Sequence, residues 1–287
     1  MLIAKKRWYN LLDNRKKRIL EAIIEEYVQT AEPVSSGSIV KHYDLGCSSA
    51  TIRNDMAELE DIGYLDKPHT SAGRIPSNKG YRFYVDTLLK DDKLTQKEIQ
   101  YIKSRLAEKV SEFEELTRIA TETLSEITNY TTMLINQNND IEFNLLKNMF
   151  NFPEMQRIDT AQNLIKLLDE KEILLEEIRT AINEDIDIHI GNENDTDVLK
   201  DFSIITYNHV LNGKYMGTIG IIGPTRMNYS KVISLMKYIG KKLNEGWCIV
   251  RCKRHSKWSE KSVTLEYSRI LKERKWKWKK KAKWKRL

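Results

Sequence analysis

The sequence predicts an α+β protein: a small helical head closed by a β-hairpin, then helices packed on an antiparallel sheet. Three observations carry that prediction. Apolar residues recur at helical spacing from Asp13 to Ala31. They alternate at strand spacing over Ile186–Ile190. Two further apolar runs flank Asn212-Gly213, a dipeptide whose tolerance of positive φ suits a tight hairpin.

The first helix places Leu20, Ile23, Ile24, Tyr27 and Val28 at i, i+3, i+4, i+7 and i+8. Glu32-Pro33 stops it, because the residue before proline avoids the α region. Ser35 or Ser36 caps a short second helix carrying Ile39, Val40 and Tyr43. A turn follows at Asp44–Cys47, with Gly46 free to take positive φ. Ser48 or Ser49 then caps a third helix that runs to about Ile62 and is stopped by Gly63.

On a helical wheel, Ile52, Met56 and Leu59 of the third helix share one face, while Thr51, Arg53, Asn54 and Glu58 point largely away. A DNA-recognition helix needs that division: one face packs, and the N-terminal part of the other reaches bases and phosphates. Arg and Asn offer the bidentate forks that suit guanine and adenine. Ser48, Ser49 and the free amides at the helix start suit a phosphate. Two short apolar strands, Tyr64-Leu65 and Ile75-Pro76, then bracket a polar turn. Lys67, His69, Thr70, Ser71 and Arg74 give this wing donors for phosphate. Ser77 caps a last helix with Tyr81, Tyr84, Val85, Leu88 and Leu89 inward. The pattern over residues 1–92 is a winged helix-turn-helix; an ordinary small helical domain with solvated Arg and Lys is the alternative.

Residues 93–130 form a linker. Thr95 with Glu98 makes a capping box, and one amphipathic helix is expected over residues 95–128. Its heptad-like spacing suits pairing between subunits, or cover for its own domain. Residues 150–182 read as helices. The strands are expected at Ile186–Ile190, Phe202–His209 and Met216–Ile222, followed by a helix over Ser230–Leu243.

These residues carry a resemblance. Glu32–Asp86, with SSATIRNDMAELE and HTSAGRIPSNKGYR, resembles the N-terminal part of the HrcA family of heat-inducible transcription repressors. MFNFPE (Met149–Glu154) and GKYMGTIGIIGPTRMNYSKVISLMKYIGKKLNE (Gly213–Glu245) resemble its later part. The resemblance implies a homodimer that binds double-stranded DNA at an inverted-repeat operator of the CIRCE type, ahead of chaperone operons. It implies support by a GroEL-type chaperonin and release on heat stress. It implies a GAF-like sensor fold carrying an inserted dimerisation domain. Against that pattern the chain is shortened near Thr131–Leu146, so a truncated GAF-like domain with a remnant of the insert is expected over 131–245. A sheet lacking central strands would leave backbone groups unpaired, a low stability is expected, and the dimer comes into doubt. A small-ligand-gated regulator and a defective DNA-binding fragment are the alternatives.

The net charge of +7 is unevenly placed. Residues 1–90 carry +2, residues 91–245 carry −8 and residues 246–287 carry +13. The last segment also holds five of the six Trp, so a boundary is expected near Glu245. Its Lys/Trp repeats read as a disordered basic extension or as an out-of-frame addition. The DNA-binding case therefore rests on placement within a near-neutral head. Three Cys make no disulfide framework, and a cytosolic protein is expected. No apolar run reaches membrane-spanning length, so no membrane partner is expected. Cys248, Cys252 and His255 are spaced irregularly for zinc, and Cys47 reads as a packing residue. Gly220–Pro224 lacks the Lys-Ser/Thr of a phosphate loop. With no nucleophile or acid–base constellation, neither catalysis nor a cofactor is expected.

Overall fold

Asp13 opens helix α1 (Asn14–Thr30) by accepting a hydrogen bond from the Lys16 amide at 2.8 Å, which holds its carboxyl below the usual range. This is a computed structural model, and it describes residues 12–69, 73–90, 92–106, 113–179, 186–211 and 214–254. Helix α1 buries Ile19, Leu20, Ile23 and Ile24. It ends one residue earlier than the proline demands, with Ala31 in the left-handed region at φ 57°. Ser35 caps α2 (Ser36–His42) and Ser48 caps α3 (Ser49–Asp61). Gly46 and Gly63 take positive φ on either side of α3, as a turn and a stop require.

Strands β1 (Leu65–Asp66) and β2 (Ile75–Pro76) pair antiparallel, and Val34 bridges Arg74 beside them. Gly73 makes that approach possible, since a Cβ there would lie 2.3 Å from the Val34 carbonyl oxygen. Ser77 caps α4 (Asn78–Phe83), whose chain continues as a wider turn over Tyr84–Leu88.

The linker departs from expectation. In place of one helix over 95–128 there are two, α5 (Gln96–Leu106) and α6 (Phe113–Thr128). They fold back on each other: Tyr101 donates to Glu126 at 2.6 Å and Arg105 to Glu122 at 3.3 Å. Ile102, Leu116, Ala120 and Leu124 are buried against the chain's own core. The pair therefore covers its own domain.

The sheet is continuous. Its strands are β3 (Thr131–Ile135), β4 (Ile141–Asn144), β5 (Ile186–Ile190), β6 (Phe202–Leu211) and β7 (Lys214–Pro224). The order is β4-β3-β7-β6-β5, all antiparallel. The missing central strands expected from the shortening are not missing here: β3, β7 and β6 each have a partner on both sides. The chain achieves this by turning tightly at Asn136–Asp140, where Asn136 Oδ1 accepts from the Asn138 and Asp140 amides. One face of the sheet, with Met133, Ile135, Ile204 and Ile222, packs on α7 (Ile158–Asp169) and α8 (Lys171–Arg179). The other face, with Ile205, Ile219 and Ile221, packs on α6 and α9 (Tyr229–Arg254). Helix α9 passes Glu245 without interruption, so the backbone does not break where the composition does.

Head and sheet share one apolar cluster, running from Leu12 through Ile52 and Tyr81 to Ile221 and Leu243. Polar contacts stitch the same seam. Arg82 makes a two-pronged bond to Glu193 and donates to the Ile188 carbonyl on edge strand β5. Arg226 pairs with Glu154 and donates to the Val28 carbonyl at 3.2 Å. The rings of Tyr81 and Tyr229 lie 5.8 Å apart. Ser230 donates to the Lys90 carbonyl at 2.6 Å, and Ser234 accepts from the Asp92 amide at 3.0 Å.

Candidate nucleic-acid interface

The candidate surface is built on α3. Its inner face buries Ile52, Met56 and Leu59, as the wheel predicts. Its outer face exposes Arg53 and Asn54, with Thr51 half-buried at the edge. The burial of one face fixes the other, because a helix anchored by three apolar side chains cannot rotate without exposing them.

At the helix start, Ser48 is exposed and its Oγ accepts from the Thr51 amide at 3.2 Å. The same oxygen lies 3.0 Å from Thr51 Oγ1. Ser49 serves differently: its hydroxyl meets that of buried Ser36 at 3.0 Å and ties α3 to α2. Cys47 packs half-buried against the core, in keeping with a packing residue.

Lys67 and His69 stand exposed beyond β1. Thr70 and Ser71 lie outside the described residues, as do the Asn212-Gly213 turn and the chain from His255 onward. Arg74 is already engaged. Its guanidinium is only 16% exposed and pairs with Glu60 on α3 at 2.6 Å. Its backbone exchanges two hydrogen bonds with Val34, at 2.8 and 2.9 Å. It fastens the ribbon to the helix.

Sequence reasoning missed Asp55. This carboxylate is 3% exposed and accepts two bonds from Arg15, at 2.7 and 3.0 Å. Lys16 adds a second cation at 3.9 Å and pairs with Glu58 at 2.9 Å, which raises its own pKa. A signal was present: Asp55 sits three residues after Ile52 and four before Leu59, on the packing face, where a lone carboxylate demands a cation.

Among the described residues, no group of three or more His, Cys, Asp or Glu side chains is arranged to hold a metal ion, and no helix is long and apolar enough to cross a membrane. Arginine, asparagine, lysine and hydroxyl donors around one exposed helix face form a surface suited to a polyanion with readable edges.

Residues 87–233 match the family described as HrcA protein C terminal domain. The heat-inducible transcription repressor HrcA of Ruminiclostridium cellulolyticum is 34% identical over 338 aligned positions, covering 82% of this chain and 97% of that protein. The repressor of the same description from Acetivibrio thermocellus is 34% identical, covering 82% and 96%. The aligned span is longer than this chain's 287 residues, so the relative holds residues inside it that this chain lacks. A solved structure described as a hypothetical protein shares the fold, with a TM-score of 0.71 at 18% identity, covering 83% of this chain and 99% of its own. This chain belongs to the HrcA family of heat-inducible transcription repressors.

Proposed function

We propose that residues 1–92 act as a winged helix-turn-helix that binds an inverted-repeat, CIRCE-type operator as a homodimer and represses chaperone operons in the cytoplasm. On this reading Thr51, Arg53 and Asn54 meet base edges. Ser48, Lys67, His69, Thr70 and Ser71 meet phosphates, Ser49 ties down the helix start beside Ser48, and Arg74 holds the wing. The sheet domain is a GAF-like sensor, heat stress releases the repressor, and a GroEL-type chaperonin supports its active form. The observation that carries the reading is the split of α3: three residues buried on one face, Arg53 and Asn54 exposed on the other.

Gel-shift titration over a range of salt concentrations tests it. Arg53→Ala is expected to cost about 1–3 kcal/mol on operator DNA and to relax specificity. Lys67→Ala is expected to weaken all sequences alike and lower the salt slope by about one. Equal operator binding by Arg53→Ala and the unaltered protein would refute the assignment of base contact.

The residues absent relative to the curated relatives favour a second reading, a monomer that binds half an operator weakly. Analytical ultracentrifugation separates the two: a sedimenting dimer supports the first, a monomer at all concentrations the second.

A further inference from the structure

We infer that the Arg15–Asp55 pair is a positioning device that sets the rotation of α3 and so determines how selectively Arg53 and Asn54 read DNA. The inference rests on the DNA-binding reading above and adds two residues that carry none of its base or phosphate contacts.

Asp55 is one residue past Asn54 and two past Arg53, on the same turn of α3. Its carboxylate is buried, and both oxygens are fixed by one planar guanidinium reaching across from α1. A two-pronged Arg–carboxylate bond fixes direction as well as distance, which a single ammonium cannot do. The apolar contacts of Ile52, Met56 and Leu59 rule out large rotations of α3, and the bidentate bond adds a directional restraint on the small ones that remain. A few degrees at Asp55 carry straight to the tips of Arg53 and Asn54, because all three share one turn of helix. The pair has an electrostatic consequence too. Asp55 and Glu58 are negative charges on the helix that would approach a polyanion. Arg15 and Lys16 pair with them from the side, leaving Arg53, among the described residues, as the uncompensated charge on that turn. Arg15 is itself 49% exposed.

The test uses the full chain and a duplex recovered by repeated selection from a random DNA pool with the unaltered protein, beside a shuffled duplex of the same composition. Arg15→Lys keeps the charge but not the two-pronged geometry. The double variant Arg15→Met with Asp55→Leu keeps the net charge and fills the space with apolar atoms, a replacement that is often neutral for stability. Circular dichroism and thermal melting establish folding. In either folded variant the ratio of selected to shuffled affinity is expected to fall about tenfold, with shuffled binding within about twofold of the unaltered protein. An unaltered ratio in a folded variant overturns the inference, because the pair would then be only cohesive. Unfolding of both variants overturns it as well, by assigning the pair to stability alone. Failure of the unaltered protein to select any duplex instead defeats the DNA-binding reading, and the inference falls with it.

Discussion

His189 and His209 stand on neighbouring strands of the sheet and titrate in opposite senses. His189 is held between Asp187 at 2.9 Å and buried Glu177 at 2.8 Å, and the Asp187 hydrogen bond leads in raising its pKa against the cost of burial. Its contribution to stability is complete below the unfolded value near 6.5 and fades as pH rises through the raised value. His209 is fully buried, and desolvation pushes it down to about 4. It stays neutral in the fold while the unfolded chain binds a proton, so it contributes stability above pH ~6.5 that is lost as pH falls towards 4. The loss amounts to about 3 kcal/mol for that shift. Melting curves between pH 7 and pH 4 check this: His209→Asn is expected to flatten the acid side of the profile. A second expectation concerns the cap: Ser48→Ala loses a bond to the Thr51 amide and costs about 1 kcal/mol, read from urea unfolding. Residues of these two kinds differ in how they declare themselves. Ser48 was legible because capping is local and has a short signature. Asp55 showed only that it needed a cation; which one was not legible, because Arg15 is forty residues away and no spacing rule links them.

At the scale of elements, the strands and short helices followed from periodicity and turn chemistry, and the linker did not. Residues 95–128 contain neither Gly nor Pro, and their apolar spacing runs on without a break. What divides them is tertiary: α5 folds back so that Tyr101 and Arg105 meet Glu126 and Glu122, α6 covers the sheet, and α5 packs on α6 and α9. A local pattern holds no record of that choice. The ribbon of the head shows the reverse case, an element whose position depends on one small residue. Gly73→Ala would place a methyl group 2.3 Å from the Val34 carbonyl oxygen, and the nearest atoms, all backbone of Pro33 and Val34, leave no flexible side chain to yield. The expected cost is about 1–3 kcal/mol, with β1, β2 and the Arg74–Glu60 pair displaced together. Amide hydrogen exchange followed by mass spectrometry checks it: protection should fall at residues 64–66 and 74–75 and hold in the sheet.

For the whole molecule, the shift in charge near Glu245 marks no break in the backbone, since α9 runs through it. The shortening relative to the curated repressors was visible in the sequence, but its consequence was not. Continuity of the sheet depends on β3 turning straight back into β4, a pairing that only the folded register displays. The mounting of the head was also illegible, since Arg82 and Glu193 are separated by most of the chain's middle. Its importance is open to measurement. Arg82→Ala removes the bond to Glu193 and uncovers the edge of β5 at Ile188. The expected cost is about 2 kcal/mol, with faster amide exchange at β5 and α4 and none of the change at β4.

The shared core has a thermal corollary. A cooperative unit melts over a narrower interval as its enthalpy grows with the number of residues that unfold together. A small head on a loose tether would soften gradually, at a temperature of its own. This head shares its buried side chains with Ile221, Tyr229 and Leu243 of the sheet domain, so the two are expected to lose order together. A single calorimetric transition is the expected record. Any release by heat would then resemble a threshold more than a slope, and sheet packing far from the DNA would set its temperature.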